Sequence, residues 1–312
     1  MLTHNLGYPR IGSHRELKKA CESYWSSGIS LAELLETGRV LRRNHWRLQQ
    51  EAGIDLIPCN DFSLYDHVLD LSLMVGAIPA RYGPLLDKPG GSELDLYFAM
   101  ARGYQKGGLD LIAMEMTKWF DTNYHYLVPE FTKHQTFSLT SRKVMDEFQE
   151  AKALGINAKP VLIGPVSYLL LGKEKERGFN RLDHLDRLLP VYLQILKELE
   201  NLGAQYVQLD EPFLALDLPN EARRAYESAY VAISRACPGL RIVLATYFAG
   251  IDGNAELAAS LPVHLLHLDL IRAPAQLDQV EKVHRKTRGQ LGVAIDPREV
   301  CGKDDPESGA GP

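Results

Sequence analysis

The chain has 312 residues, 45% hydrophobic and 24% charged, enough apolar material for a large buried core and too much for a disordered chain. A formal net charge of −5 and a pI near 6.1 exclude a globally basic surface, so nucleic acid is not an expected partner and any anionic ligand must meet a local cationic cluster. No apolar stretch reaches the roughly 20 residues of a membrane helix and the opening MLTHNLGYPRIG does not read as a secretory signal, so a cytoplasmic protein with no membrane partner is expected. Cys21, Cys59, Cys237 and Cys301 form no C-x-x-C pair, which points to incidental thiols and away from a disulfide scaffold or zinc ribbon.

In chain order, a first strand is predicted over His4–Tyr8. It passes through a Gly and Pro turn into a helix whose Ser13 and Glu16 have capping-box spacing. The open N–H groups and positive dipole end of that helix favour anions, and Arg15 and Lys18, three residues apart, project from one side of its first turn. An ordinary charged surface helix is the alternative. In the second helix Ser30 and Glu33 match another capping box, Leu34, Leu41 and Leu48 form an apolar stripe, and Arg39, Arg42, Arg43 and Arg47 mark a solvated face. A strand over Asp55–Pro58 follows, then one over Leu111–Met116. Just beyond it, Trp119, Phe120, Tyr124, Tyr126 and Phe131 crowd around Lys118, Asp121, Asn123 and His125. Because ligand sites of α/β barrels lie after the strands, Lys118 is a candidate contact; a plain buried aromatic cluster is the competing reading.

Helices over Val144–Ala153, Leu185–Leu202, Ala222–Ala236 and Leu277–Lys286 alternate with strands over Pro160–Gly164, Tyr206–Asp210, Ile242–Thr246, Leu265–Leu270 and Leu291–Ile295. Asp210 and Glu211 are adjacent, so extended backbone sends them to opposite faces, and at least one should be a structural hydrogen-bonding group. His264 and His267 likewise diverge. The nearest approach to a metal set, Cys59 with Asp61 and His67, reads as a chance cluster, so no metal is expected in this chain. No phosphate loop, nucleophile elbow or dinucleotide loop occurs. Eight strands alternating with helices predict an α/β protein with a (β/α)8 TIM-like barrel over residues 1–299, incomplete at its C-terminal end. The polar tail from 300 to 312, with its GKDDPESGAGP, should be disordered.

The segments LGYPRIG…RELKKACESYW, AGIDLIPCNDFSLYDHVLD, EMTKWFDTNYHYLVPEF, VLIGPVSYLLLGK, VQLDEPFLALDLP and TYFAG resemble, in order, the N-terminal part of the cobalamin-independent methionine synthases. The resemblance implies one of two duplicated (β/α)8 barrels of an enzyme that moves a methyl group from 5-methyltetrahydropteroyltriglutamate to homocysteine. It implies that Arg15, Glu16, Leu17 and Lys18 of RELK and Lys118 of EMTKWF bind the folate's polyglutamate tail. Zinc, which holds the homocysteine sulfur as a thiolate, and the homocysteine pocket belong in this family to the second barrel. This chain alone is therefore expected to carry no cofactor and to be inactive unless a C-terminal barrel partners it. After LGVAID the sequence PREVCGKDDPESGAGP departs from the family pattern, as a truncation would. A non-enzymatic interaction module, a non-functional truncated gene product and a stand-alone methyltransferase are the rival readings.

Overall fold

Six short runs rich in β-branched and aliphatic residues pair into one sheet: β1 (Ile57–Cys59), β2 (Ala158–Ile163), β3 (Tyr206–Asp210), β4 (Arg241–Ala245), β5 (Leu265–Leu268) and β6 (Gly292–Ile295). The computed structural model describes residues 2–86, 92–287 and 292–295. Every neighbouring pair in the sheet is parallel, and the spatial order of the strands is their order in the chain. Parallel neighbours need a crossover. Helices supply it: α6 (Pro165–Leu171) and α7 (Leu185–Asn201) before β3, α8 (Asn220–Ala236) before β4, α9 (Ala255–Ser260) before β5 and α10 (Gln276–Thr287) before β6.

Crossovers of one hand between sequential strands put all the helices on one face and leave the other face to curl around itself. The start of the chain shows the curl. His4 forms a parallel bridge with Leu56, beside β1, yet its ring lies 5.5 Å from that of His267 on β5. The result is an α/β fold with a curled parallel sheet that is open among the described residues.

Two predicted strands are not sheet members. His4–Tyr8 contributes only the single bridge, because its carbonyls turn to side chains from the sheet interior: Asn5 O accepts Lys159 Nζ at 3.0 Å and Leu6 O accepts Gln208 Nε2 at 3.1 Å. Leu111–Met116 is split between two antiparallel pairs, Tyr104–Lys106 with Leu109–Leu111 and Met116–Lys118 with His125–Leu127. Gly107 and Gly108, at φ 62° and 80°, form the two-residue turn of the first hairpin, a conformation that glycine adopts freely. The predicted tail and the end of the barrel, beyond Ile295, lie outside the described residues.

The long connection from β1 to β2 carries α3 (His67–Met74), α4 (Glu93–Arg102) and α5 (Lys143–Ala153). Together with α1 (Glu16–Trp25) and α2 (Leu31–Glu51), α3 and α4 enclose a second apolar cluster around Leu17, Leu34, Leu69, Tyr82 and Tyr97, beside the main core under the sheet. In α2 the Ser30–Glu33 capping box is present. Leu34 and Leu41 are buried, but Leu48 is 53% exposed, and Trp46 takes its place, donating its indole N–H to Pro58 O at 3.0 Å. Nor is the arginine face wholly solvated: the Arg42 side chain is 14% exposed and meets Glu150 at 2.6 Å and Glu147 at 3.6 Å. Among the described residues no helix is long and apolar enough to cross a membrane.

Candidate functional site

Two places in this fold could hold a ligand, and the first is the start of α1. The predicted Ser13–Glu16 capping box does not form. The backbone N–H of Arg15 bonds Gly12 O at 3.2 Å, and Arg15 itself is the N-cap, in the left-handed region at φ 60°, ψ 39°. The Glu16 carboxylate accepts the N–H of His14 at 3.0 Å. Its own N–H and that of His14 hold this exposed carboxyl below its ordinary range. Arg15 and Lys18 are exposed, and among the described residues Lys18 pairs with Glu22, 3.8 Å away on the same solvent-facing surface. Leu17 is 2% exposed in the second core cluster, and its N–H bonds Ile11 O. What it can offer a ligand is backbone alone. Lys118 is exposed at the end of its hairpin strand. Among the described residues no contact joins it to the α1 cations.

The second place is a cavity of about 510 Å³ where the sheet strands end, the position at which α/β sheets bind ligands. Asn60 and Asp61 follow β1, Asp210 ends β3, Tyr247 and Phe248 follow β4, and His267, Asp269 and Arg272 come from β5 and its exit; His67, Asp70 and Trp119 complete the wall. Neither Arg15, Lys18 nor Lys118 lines it. The exit of β1 is held by Lys143, whose Nζ donates to Asn60 Oδ1 at 2.9 Å and Phe62 O at 2.7 Å and pairs with Glu147 at 3.1 Å and Asp70 at 3.3 Å. Asn60 sits at φ 62° and donates to Val161 O. These bonds set Asp61, which also accepts the N–H of Tyr8 at 2.8 Å. Elsewhere in the lining Phe248 holds a positive φ of 74°, and its ring meets at 5.8 Å that of Phe120, which stands behind the wall at φ 51°.

Below the cavity a polar chain runs through the curled face. Lys159 Nζ contacts His4 Nδ1 at 3.1 Å and donates to Gln208 Oε1; Gln208 Nε2 donates to Asp210 Oδ1 at 2.7 Å, and Asp210 Oδ2 accepts from Tyr247 Oη at 3.1 Å. Removal from water pushes Lys159 down to about 7, Asp210 up to about 6 and Asp61 up to about 7. Glu211 points the other way, as adjacency requires, accepting the N–H of Ser167 at 2.8 Å and the hydroxyl of Tyr230 at 3.1 Å. Its role is to tie α6 and α8 to the end of β3.

Sequence reasoning reached Asp210 and His267 on their predicted strands, but read Asp61 and His67 only as a failed metal set and passed over Asp70 and Arg272. The NDF string directly after β1 was the available signal for Asp61. Nothing in the order of residues points to Asp70, which reaches the cavity from α3 within a long connection.

Comparison with known proteins places this architecture. Residues 2–307 match the family described as the N-terminal domain of cobalamin-independent synthase. The chain belongs to that family. Among relatives of the cobalamin-independent synthase domain, a 5-methyltetrahydropteroyltriglutamate–homocysteine methyltransferase of Flavobacterium johnsoniae is 58% identical over 307 residues, which cover 97% of this chain and 39% of that enzyme. The same enzyme of Cytophaga hutchinsonii is 55% identical, with 97% and 40% covered. The chain thus spans about two fifths of the length of these relatives. The fold is similar to that of a methyltransferase from Methanosarcina mazei, at TM-score 0.57 and 11% identity over 94% of this chain and 77% of that one. A Listeria monocytogenes protein described as a candidate vitamin-B12-independent methionine synthase aligns at TM-score 0.58 and 13% identity, over 95% and 92%.

Proposed function

We propose that this chain works as the N-terminal part of a cobalamin-independent methionine synthase, where it grips the polyglutamate tail of 5-methyltetrahydropteroyltriglutamate during methyl transfer to homocysteine. The geometric support is the start of α1. Arg15 keeps an exposed guanidinium in a left-handed conformation that costs a non-glycine residue on the order of 1 kcal/mol, and such strain persists where function requires the side chain. Lys18 stands one turn away, and the helix dipole adds to the pull on carboxylates. Lys118 supplies a further cation for a tail long enough to reach both segments, and Glu16 and the Leu17 backbone shape the turn.

In this reading the curled sheet closes into a (β/α)8 barrel and the protein acts in the cytoplasm, with a C-terminal methionine synthase barrel as its partner. Zinc belongs to that partner. Among the described residues no group of three His, Cys, Asp or Glu side chains is placed to hold a metal ion, and burial lifts the Cys59 thiol well above its ordinary range. Calorimetry with the folate triglutamate tests the proposal: binding should weaken as salt rises and drop about tenfold in Lys18→Ala or Lys118→Ala. Binding that ignores salt and both substitutions refutes it.

A further inference from the structure

The cavity at the strand ends has the wrong sign for a polyglutamate tail. Four of its lining residues are aspartates, Asp61, Asp70, Asp210 and Asp269, and its one arginine, Arg272, is already committed to Asp121 and to Phe248 O. Lys143 neutralises Asp70, and Asp269 is taken up by the N–H groups of Phe248 at 2.9 Å and Arg272 at 3.0 Å. Asp61 and Asp210 likewise bear on the cavity with neutral donors attached, the Tyr8 N–H for one and the side chains of Gln208 and Tyr247 for the other. The aromatic side chains of Trp119, Tyr247 and Phe248 line the same cavity.

A volume of about 510 Å³ lies within the range of small-molecule sites, and carboxylates facing aromatic walls recognise a cation that carries an apolar body. We infer that this cavity is a binding site for a small organic ammonium ion, its nitrogen held by the carboxylates of Asp61 and Asp210 and its apolar part packed against Trp119, Tyr247 and Phe248. Lys143 and Lys159 lie near these carboxylates but spend their Nζ bonds on Asn60, Phe62 O, Asn5 O and Gln208, so a ligand nitrogen adds the direct cationic contact. The site is separate in place and in sign from the cations at Arg15, Lys18 and Lys118, so it stands whether or not those bind a folate tail. It also discriminates against ligands bearing a carboxylate next to the ammonium group, which would face Asp61 and Asp210 directly.

The test uses the full chain and 2-phenylethylammonium as probe, followed by calorimetry and by the fluorescence of Trp119. Saturable binding is expected, at least about tenfold tighter than for 2-phenylethanol, 3-phenylpropionate or phenylalanine, which share the ring but alter the charge. Asp210→Asn and Asp61→Asn, each checked for an unchanged circular dichroism spectrum, should weaken it about fivefold or more. A variant that loses the native spectrum is replaced by Phe248→Leu, for which a loss of about threefold is expected. No saturable binding, equal binding of the alcohol or the propionate, or unchanged binding in the folded variants would overturn the assignment.

Discussion

Adding one methyl group at Gly164 should unlock the end of β3. Gly164 has ordinary extended backbone, φ −68° and ψ 154°, so an alanine there meets no conformational penalty. The obstacle is steric. A Cβ would lie 2.0 Å from Glu211 Oε1 and 2.2 Å from its Cδ, and the Glu211 carboxylate must leave. It is fully buried and takes with it the bonds to Ser167 N at 2.8 Å and Tyr230 Oη at 3.1 Å. Two hydrogen bonds to a carboxyl group, at about 1.5 kcal/mol each, and an overpacking cost of about 1–2 kcal/mol sum to about 4–5 kcal/mol. At roughly 2–3 °C per kcal/mol for a domain this large, Gly164→Ala should melt about 8–15 °C below the parent in a reversible thermal scan. In a Glu211→Ala background the obstruction is gone, and the same methyl group should cost under about 1 kcal/mol. A melting point within about 2 °C of the parent, or an equal cost in both backgrounds, would refute the reasoning.

Arg15→Gly should raise the melting point by a few degrees, since glycine accepts the left-handed N-cap, while weakening triglutamate binding in calorimetry; unchanged stability would show that the conformation carries no strain. Arg81→Ala removes bonds of 2.6 and 2.8 Å to Glu130 and leaves it with Lys175, 3.9 Å away. With Glu130 only 9% exposed, a loss of about 2–3 kcal/mol in urea unfolding is expected. Lys159 titrates near 7 when folded but near 10.5 when unfolded. Between these values the unfolded chain holds the extra proton, so this residue makes stability rise with pH from about 7 to 10. The unfolding midpoint of the parent should gain on that of Lys159→Met over this range; parallel curves would remove Lys159 from the account. Trp46→Phe forfeits the bond to Pro58 O and should cost about 1 kcal/mol.

The alternation of strand and helix was legible because the sheet strands are buried along their length, as in β2 and β3, and hydrophobic runs bounded by amphipathic helices express that burial directly. The Ser30–Glu33 cap was legible for the same local reason. Features that depend on distant partners were not. Lys159 and Gln208 are buried polar residues whose neighbours come from the chain start, at sequence separations of 155 and 202, and they convert a predicted strand at His4–Tyr8 into a hydrogen-bond acceptor rail. Leu48 fits the helical stripe yet lies exposed, because Trp46 fills the space beneath α2. At the candidate sites the sequence pointed to Arg15, Lys18 and Lys118 as exposed cations, and to Asp210 and His267 on their strands. The sign of the cavity they border depends on Asp61 and Asp70, whose placement is set by the Lys143 hub.

Because each sheet strand, among the described residues, bonds its neighbours in the chain, the order of synthesis is also an order of assembly. β1 is complete at Cys59, but its partner β2 begins at Ala158. At typical rates of about 5–20 residues per second, the ribosome takes roughly 5–20 s to span that interval. During it the growing chain has, among its described residues, the α1–α4 cluster and the bridge from His4 to Leu56 to hold it. From β2 onward the wait shortens as far as residues 246–264 between β4 and β5 and stays short, at residues 269–291, before β6, so the helical cluster around Leu34 and Tyr97 is the scaffold on which the sheet begins.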